Sequence, residues 1–377
     1  MKKIIIKFGI FFLNIIYSFF KVFKTQKKIT FISRQSNEIT LDYEILSNQL
    51  KKVHNDYKTV VLTKKIDNRF LYSFHMLKQM YHIATSKVVI LDSYCIAVSV
   101  LHHKKSLRVI QIWHAIGSMK KFGYAMIGKE EGSTKEIADL FKMHKNYDCI
   151  LISSKSFIKD FIEGFNVKPD IIKEIPLPRV DLLLDKNYKE EKRKELYKKI
   201  PQLKNKKNIL YCGTFRKEQP NNSKNIDDLV KEIDFSKYNL LYKPHPFNTV
   251  TSDDPRIIKN FKSTFEALMV SDYVICDYSS IIYEAGLLEL PVYIYAYDYE
   301  EYSKKRELNF DMKKEIPTLF TKSPKKIMER IEQNDFKYEE FKKFTYKNVT
   351  LPKGKSCTDA IIEVIEGYLS DNYGYKK

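Results

Sequence analysis

Glycine is scarce in this chain, with eleven in 377 residues, and none are gathered into a phosphate-binding loop. Neither G-x-G-x-x-G nor G-x-x-x-x-G-K occurs, which argues against the usual dinucleotide fingerprint and against a P-loop NTPase. The five cysteines (Cys95, Cys149, Cys212, Cys276 and Cys357) form no C-x-x-C pair, and several lie in apolar, strand-like runs. They read as small core residues in a reducing compartment, not as a disulfide frame or a metal site. There is no zinc-finger spacing and no RNP-like aromatic run, so nothing points to nucleic acid as a partner. No solenoid-period repeat or low-complexity tract is present.

Apolar content is ample. Hydrophobic residues make up 44% and aromatics 14%, enough to offset ordering entropy and to build a core, divided at this length into two domains. The net charge of +19 and pI near 9.3 call for an anionic partner. Nucleic acid, an anionic membrane face and a phosphorylated substrate all fit by charge alone, and ordinary Lys-rich solvated surface accounts for part of the excess.

Near the N-terminus, Lys2 and Lys3 precede an apolar stretch whose uncharged part runs over residues 8–20. As a helix that part spans about 20 Å, short of the roughly 30 Å hydrocarbon core. No small-residue cleavage site follows it. Residues 1–27 are expected to lie on a membrane surface, with a core helix and a tilted single span as the other readings.

Short apolar runs then alternate with helical stretches, the pattern of parallel α/β layers. The first series covers 29–33, 59–63, 87–92, 108–113 and 147–153; the second covers 208–216, 238–245, 273–277 and 291–298. Between 186 and 207 the composition turns to Lys, Glu, Asn and Tyr, which predicts a charged linker. The expected organisation is an N-terminal Rossmann-like domain over 28–185, the linker, and a C-terminal Rossmann-like domain over 208–377. Open α/β sheets bind ligands beyond the carboxyl ends of their strands, here in a cleft between two halves.

The residues that end the strands are therefore the candidates. His114 follows an apolar run and precedes a turn at Gly117, with Lys120 and Lys121 close behind. An imidazole there can accept a proton at neutral pH. In K-P-H-P (243–246), His245 is held between two prolines beside Lys243, a rigid presentation suited to phosphate. In the D-Y-S-S block, Asp277 ends a strand while Ser279 and Ser280 stand where a helix begins, one turn before Glu284. Arg34 and Gln35 follow the first strand, Thr214 and Arg216 follow the first strand of the second half, and Arg179, Asp181 and Arg306 lie at comparable places. Arginine's fork suits phosphate oxygens.

Taken in order, these segments resemble the CDP-glycerol glycerophosphotransferase family of teichoic acid synthesis. The resemblance rests on Trp113-His114 with Gly117, Lys120 and Lys121, then on P-R-x-D (178–181), L-Y-x-x-T-F-R (210–216), K-P-H-P, the D-Y-S-S block and the acidic aromatic run 297–302. Ala115 and Glu307 depart from glycines frequent in the family. The resemblance implies a GT-B-like α/β fold of two Rossmann-like domains whose parallel sheets face a central cleft. It also implies peripheral attachment to the cytoplasmic face of the membrane, and functional histidines at His114 and His245.

The implied reaction moves an alditol phosphate from CDP-glycerol or CDP-ribitol to a hydroxyl of a lipid-linked glycan, releasing CMP. His114 is the expected base, since an alcohol is a poor nucleophile at neutral pH. His245, Arg216, Ser279 and Ser280 are expected to hold the pyrophosphate. No carboxylate cluster resembles a divalent-metal site, so no cofactor is expected to be obligatory. A UDP-sugar glycosyltransferase or epimerase of the same fold, and a non-catalytic membrane-docked scaffold, are the competing readings. Assembly into a homo-oligomer is left open.

Overall fold

Runs of Val, Ile, Leu and Tyr, buried on both faces, build two all-parallel sheets, as expected where strands are covered by helices above and below. The computed structural model describes residues 2–214, 216, 223–243 and 252–370. The chain forms two units: Met1–Ala115, Lys121–Asp181 and the segment from Thr350 onward make the first, and Ile116–Lys120 with Leu182–Val349 make the second.

In the first unit, β1 (Lys28–Ser33), β2 (Lys58–Thr63), β3 (Val88–Leu91), β4 (Arg108–Gln111), β5 (Cys149–Ile152) and β6 (Ile172–Glu174) lie in the order β2-β1-β3-β4-β5-β6. The register sets Ile29 beside Val88 and Ile32 beside Leu91. Strand order reverses between β1 and β3, which is where open sheets of this kind leave a crevice at the strands' carboxyl ends. Tyr43, on helix α2 (Leu41–Val53), packs on Phe31 at 5.0 Å and donates its hydroxyl to the Ile32 carbonyl at 2.8 Å.

The N-terminal helix α1 (Lys2–Val22) docks by its polar side. Asn14 donates to the Val100 carbonyl (3.2 Å) and accepts from the His102 amide (2.9 Å). Tyr17 is fully buried against His103, and Lys21 donates to the His102 carbonyl. The outward side is apolar, with Phe8 60% and Phe19 68% exposed. Helix α3 (Arg69–Thr85), in the same unit, carries exposed Phe70, Leu71 and Phe74.

In the second unit, β7 (Lys207–Cys212), β8 (Tyr238–Tyr242), β9 (Ile257–Ile258), β10 (Tyr273–Cys276), β11 (Val292–Tyr295) and β12 (Phe320–Thr321) run in the order β12-β11-β10-β7-β8-β9, reversing between β7 and β10. A buried cluster that includes Ile209, Leu229, Leu240, Ile275 and Tyr293 forms its core. Gly286, on the helix Ile281–Leu287, lies so close to the helix Tyr338–Asn348 that an added Cβ would fall 2.1 Å from Thr345 Oγ1.

Two boundaries differ from the sequence expectation. Residues 186–207 are not a spacer: the helix Lys186–Lys199 and the turn after it belong to the second unit, with Asn208 bonded to the Leu203 carbonyl. The final helix, Cys357–Leu369, belongs to the first unit instead of closing the second. There His54 meets Glu366 at 2.8 Å and Tyr368 donates to the Asp148 carbonyl. All five cysteines are buried and unpaired.

Candidate active site

The chain leaves β4 through Gln111, whose buried amide donates to the Ser93 carbonyl and accepts from the Trp113 N–H at 2.9 Å. Trp113 is then forced to φ +65°, a left-handed backbone for a bulky residue, which costs on the order of 1–3 kcal/mol. Its ring is wedged 4.5 Å from Phe122 and 5.4 Å from Phe165, and it lies tilted against the His114 ring at 4.3 Å. The strain is thus tolerated by aromatic packing and fixes the direction of the next residue.

That residue is His114. Its Nδ1 lies 3.0 Å from the Asp92 carbonyl. A carbonyl only accepts, so Nδ1 carries the proton and Nε2 keeps its lone pair. Burial lowers the imidazole pKa to about 4, with the bond to Asp92 opposing the shift; part of the ring's residue surface nevertheless stays open. The His114 carbonyl is reached by Arg179 (3.4 Å), and Asp42, only 4% exposed, clamps that guanidinium through both carboxylate oxygens. Beside them Asp92 is 3% exposed, and among the described residues one of its carboxylate oxygens has no hydrogen-bond partner. Burial pushes its pKa up to about 6.

The second unit gathers a different set at its own reversal point. Asp277, fully buried at the end of β10, accepts the Thr214 N–H (2.9 Å) and hydroxyl (2.5 Å) and the Arg216 Nη2 (3.0 Å). Arg216 also donates twice to Asp298, at 2.7 and 3.0 Å, and once to the Thr214 carbonyl. Its guanidinium lies over the rings of Tyr278, Tyr297 and Tyr302, 4.3 Å from the last. Burial works against that charge, and the two carboxylates overcome it, holding the pKa above the ordinary guanidinium value. Tyr278 donates to Asp298 and stacks on Tyr302, and Lys120 lies over the Tyr302 ring. Lys120 is held by a bridge to Leu308, and Asn309 holds Ser118 and Met119 next to Gly117, whose φ of +71° makes the turn.

The structure therefore brings Thr214, Arg216, Asp277 and Lys120 into one constellation and sets His114 in another. Arg179 is a positioning residue beneath His114, committed to Asp42. Asp181 caps the final helix, accepting from the Cys357 and Thr358 amides. Gln35 is exposed and Glu284 is buried in its helix. Lys243 donates to the Phe261 carbonyl at 2.7 Å. Ser280 starts the helix Ile281–Leu287 without a side-chain cap bond, while the Ser279 hydroxyl accepts the Ile281 N–H at 3.4 Å. Arg306 ends the helix Tyr299–Lys305, and it and Lys121 are half-buried. His245 lies outside the described residues. Among those described, no group of three or more His, Cys, Asp or Glu is placed to hold a metal ion.

Sequence reasoning missed Asp42, Asp92 and Tyr278 as site members. The available signal for Asp92 was its place at a strand end, the same rule that selected Asp277. Asp42 had none, since its partner is 137 residues away.

Two Rossmann-like units with strained or polar rims at their strand ends make this a GT-B-like α/β enzyme. The solved wall teichoic acid polymerase TagF has this fold: it superposes with a TM-score of 0.78 at 18% identity, over 99% of this chain and 98% of that one. The UDP-GlcNAc 2-epimerase from Methanocaldococcus jannaschii is a more remote likeness, with a TM-score of 0.53 at 12% identity over 90% of this chain and all of that one. The chain belongs to the CDP-glycerol:poly(glycerophosphate) glycerophosphotransferase family, whose model matches residues 15–366. Among its relatives, the teichoic acid ribitol-phosphate primase of Bacillus spizizenii is 27% identical over 91% of this chain and 92% of its own length. The teichoic acid glycerol-phosphate primase of Bacillus subtilis is 28% identical, over 96% and 97%.

Proposed function

We propose that this enzyme moves glycerol phosphate from CDP-glycerol to a hydroxyl of a lipid-linked glycan and releases CMP. The acceptor oxygen bonds to the β-phosphorus. The bond from that phosphorus to the bridging oxygen breaks, and CMP leaves with that oxygen and its electron pair. The acceptor's proton passes to His114 Nε2.

The observation that carries this reading is the Nδ1–H donated to the Asp92 carbonyl, because it leaves Nε2 as a lone pair at a strand end. The lowered pKa keeps that ring neutral at physiological pH. The donor diphosphate is assigned to the second unit, to Lys243, Ser279, Ser280, Arg306 and His245, with Glu284 near the ribose. Arg216, in the same unit, is oriented by Asp277 and Asp298. No metal is assigned a role.

The helix α1 is assigned to the cytoplasmic membrane surface. Its hydrogen-bonding side is used up on the protein, and its apolar side, with Phe8, Phe11 and Phe19, is outward. Its length and hydropathy also meet the requirement for a span, but Asn14, Tyr17 and Lys21 tie it down along its flank.

Ribitol is the second reading, since relatives named for ribitol phosphate align as fully as those named for glycerol phosphate. A panel of CDP-glycerol, CDP-ribitol and UDP-sugars with a lipid-linked glycan, read by CMP release and product mass, separates them. The expected result is CMP with CDP-glycerol, a product heavier by glycerol phosphate, and no change on adding EDTA. Turnover of CDP-ribitol alone selects the second reading; turnover of a UDP-sugar alone overturns both.

A further inference from the structure

The residues just after His114 belong to the other unit. The chain leaves the first unit after Ala115, spends Ile116–Lys120 in the second, and returns at Lys121. This strap is buried, with Ile116 1% exposed, Met119 3% and Ser118 4%. Buried carbonyls need donors, and Asn309 supplies them to three successive residues. Its main-chain N–H donates to the Met119 carbonyl at 2.9 Å. Its side-chain amide donates to the Ser118 hydroxyl (2.6 Å), the Ser118 carbonyl (3.1 Å) and the Lys120 carbonyl (3.3 Å). Lys120 also forms an antiparallel bridge with Leu308. A carboxylate at 309 would set acceptors against carbonyls, so the amide is the group that fits.

The clamp lies between two parts of the proposed machinery. Toward the base, His114 is four residues before Ser118. Four residues of chain span at most about 14 Å, and the turn at Gly117, with φ +71°, shortens that leash. The first unit holds His114 by the Asp92 carbonyl, Arg179 and the Trp113 ring, so its backbone is fixed on one side by each unit. Toward the donor, Asn309 is three residues after Arg306, which is assigned to the diphosphate and ends the helix Tyr299–Lys305. Lys120 lies over the ring of Tyr302 on that helix, and the same ring stacks on Tyr278 and faces the Arg216 guanidinium. Residues 302–309 therefore touch both the donor-side set and the strap.

We propose that Asn309 is a positioning residue for the reaction: by clamping the strap 116–120 it couples occupancy of the donor side to the placement of His114. The coupling rests on the base role given to His114 and the donor role given to Arg306. The chain carries its own reporter, because Trp113, against the His114 ring, is its single tryptophan.

The test uses the full chain. Wild type titrated with CDP-glycerol, and excited at the red edge of indole absorption, is expected to show a saturable change in Trp113 emission with the same midpoint as calorimetric binding. Asn309→Ala is expected to keep the calorimetric binding and lose the emission change. Its kcat should fall about ten- to hundred-fold, as a small misplacement of a reacting group does, while the KM for CDP-glycerol moves far less. Ser118→Ala, which removes only the hydroxyl acceptor, is expected to act in the same direction more weakly, and it serves as the test if Asn309→Ala does not fold.

An emission change of undiminished size in the variants, no change in a wild type that binds the donor, or a raised donor KM with unaltered kcat would overturn the coupling. Absence of CMP release by the wild type from any CDP-alditol sinks the proposed reaction instead. The Trp113 response to CMP then decides the coupling alone, and a wild type that binds no CMP overturns it too.

Discussion

Arg216 and Asp92 show opposite treatments of a buried charge. Arg216 is matched by Asp277 and Asp298 and boxed by three tyrosines, so its geometry is fixed before any ligand arrives. Asp92 has one carboxylate oxygen without a partner among the described residues, and burial raises its pKa to about 6. The raised value means that the folded state holds this proton more tightly than the unfolded chain does. Above pH 6 the native protein therefore carries an unfavourable anion there. Asp92→Asn is expected to stabilise the protein at pH 7.5 by about 1–3 kcal/mol, a gain that shrinks as pH falls through 6 and is gone below the unfolded carboxyl's range. Urea unfolding at several pH values checks this; a variant less stable at pH 7.5 contradicts it. At this scale the sequence was legible where a strand ran into a turn, as at His114 and Asp277. It was silent where a side chain's task depends on a distant partner. Arg179 and Asp181 look alike in P-R-x-D, yet one anchors Asp42 and the other caps a helix beginning at Cys357. Only the folded chain brings those partners close.

Among the elements, the central strands were readable because burial on both faces demands an unbroken apolar run. The edge strands β6, β9 and β12 were not, being two or three residues long and too short for any period to register. The side by which helix α1 docks was not legible in the sequence. Its polar side consists of Asn14, Tyr17 and Lys21, spaced to face the protein, while the apolar remainder faces outward. Replacing Phe8, Phe12 and Phe19 by Glu is expected to abolish co-flotation with vesicles containing anionic lipid while leaving the fold intact by circular dichroism. Unchanged flotation would remove α1 as the anchor. A second element-level prediction concerns Gly286. Its packing against Thr345 leaves no space for a side chain, so Gly286→Val should cost about 1–3 kcal/mol by overpacking, seen as a lowered thermal midpoint. A neutral substitution would mean that the two helices separate freely.

At the scale of the whole molecule, the alternation of apolar and helical stretches was enough to give two parallel α/β units, and the ordered motifs were enough to give the family that the match over 15–366 establishes. The return of the final helix to the first unit was not legible, because an amphipathic helix states that it needs a partner and not which one. The account of the reaction rests on His114 as a base whose free nitrogen faces an acceptor hydroxyl. The direct measurement is CMP release from CDP-glycerol with a lipid-linked acceptor, comparing the wild type with His114→Ala, alongside calorimetric binding of CDP-glycerol. The account predicts that the variant still binds the donor while turnover falls at least about a hundred-fold, as loss of a general base does. It also predicts that wild-type turnover persists below the pH at which an ordinary histidine would be protonated, because the ring's pKa is held to about 4. Wild-type turnover by His114→Ala would contradict it.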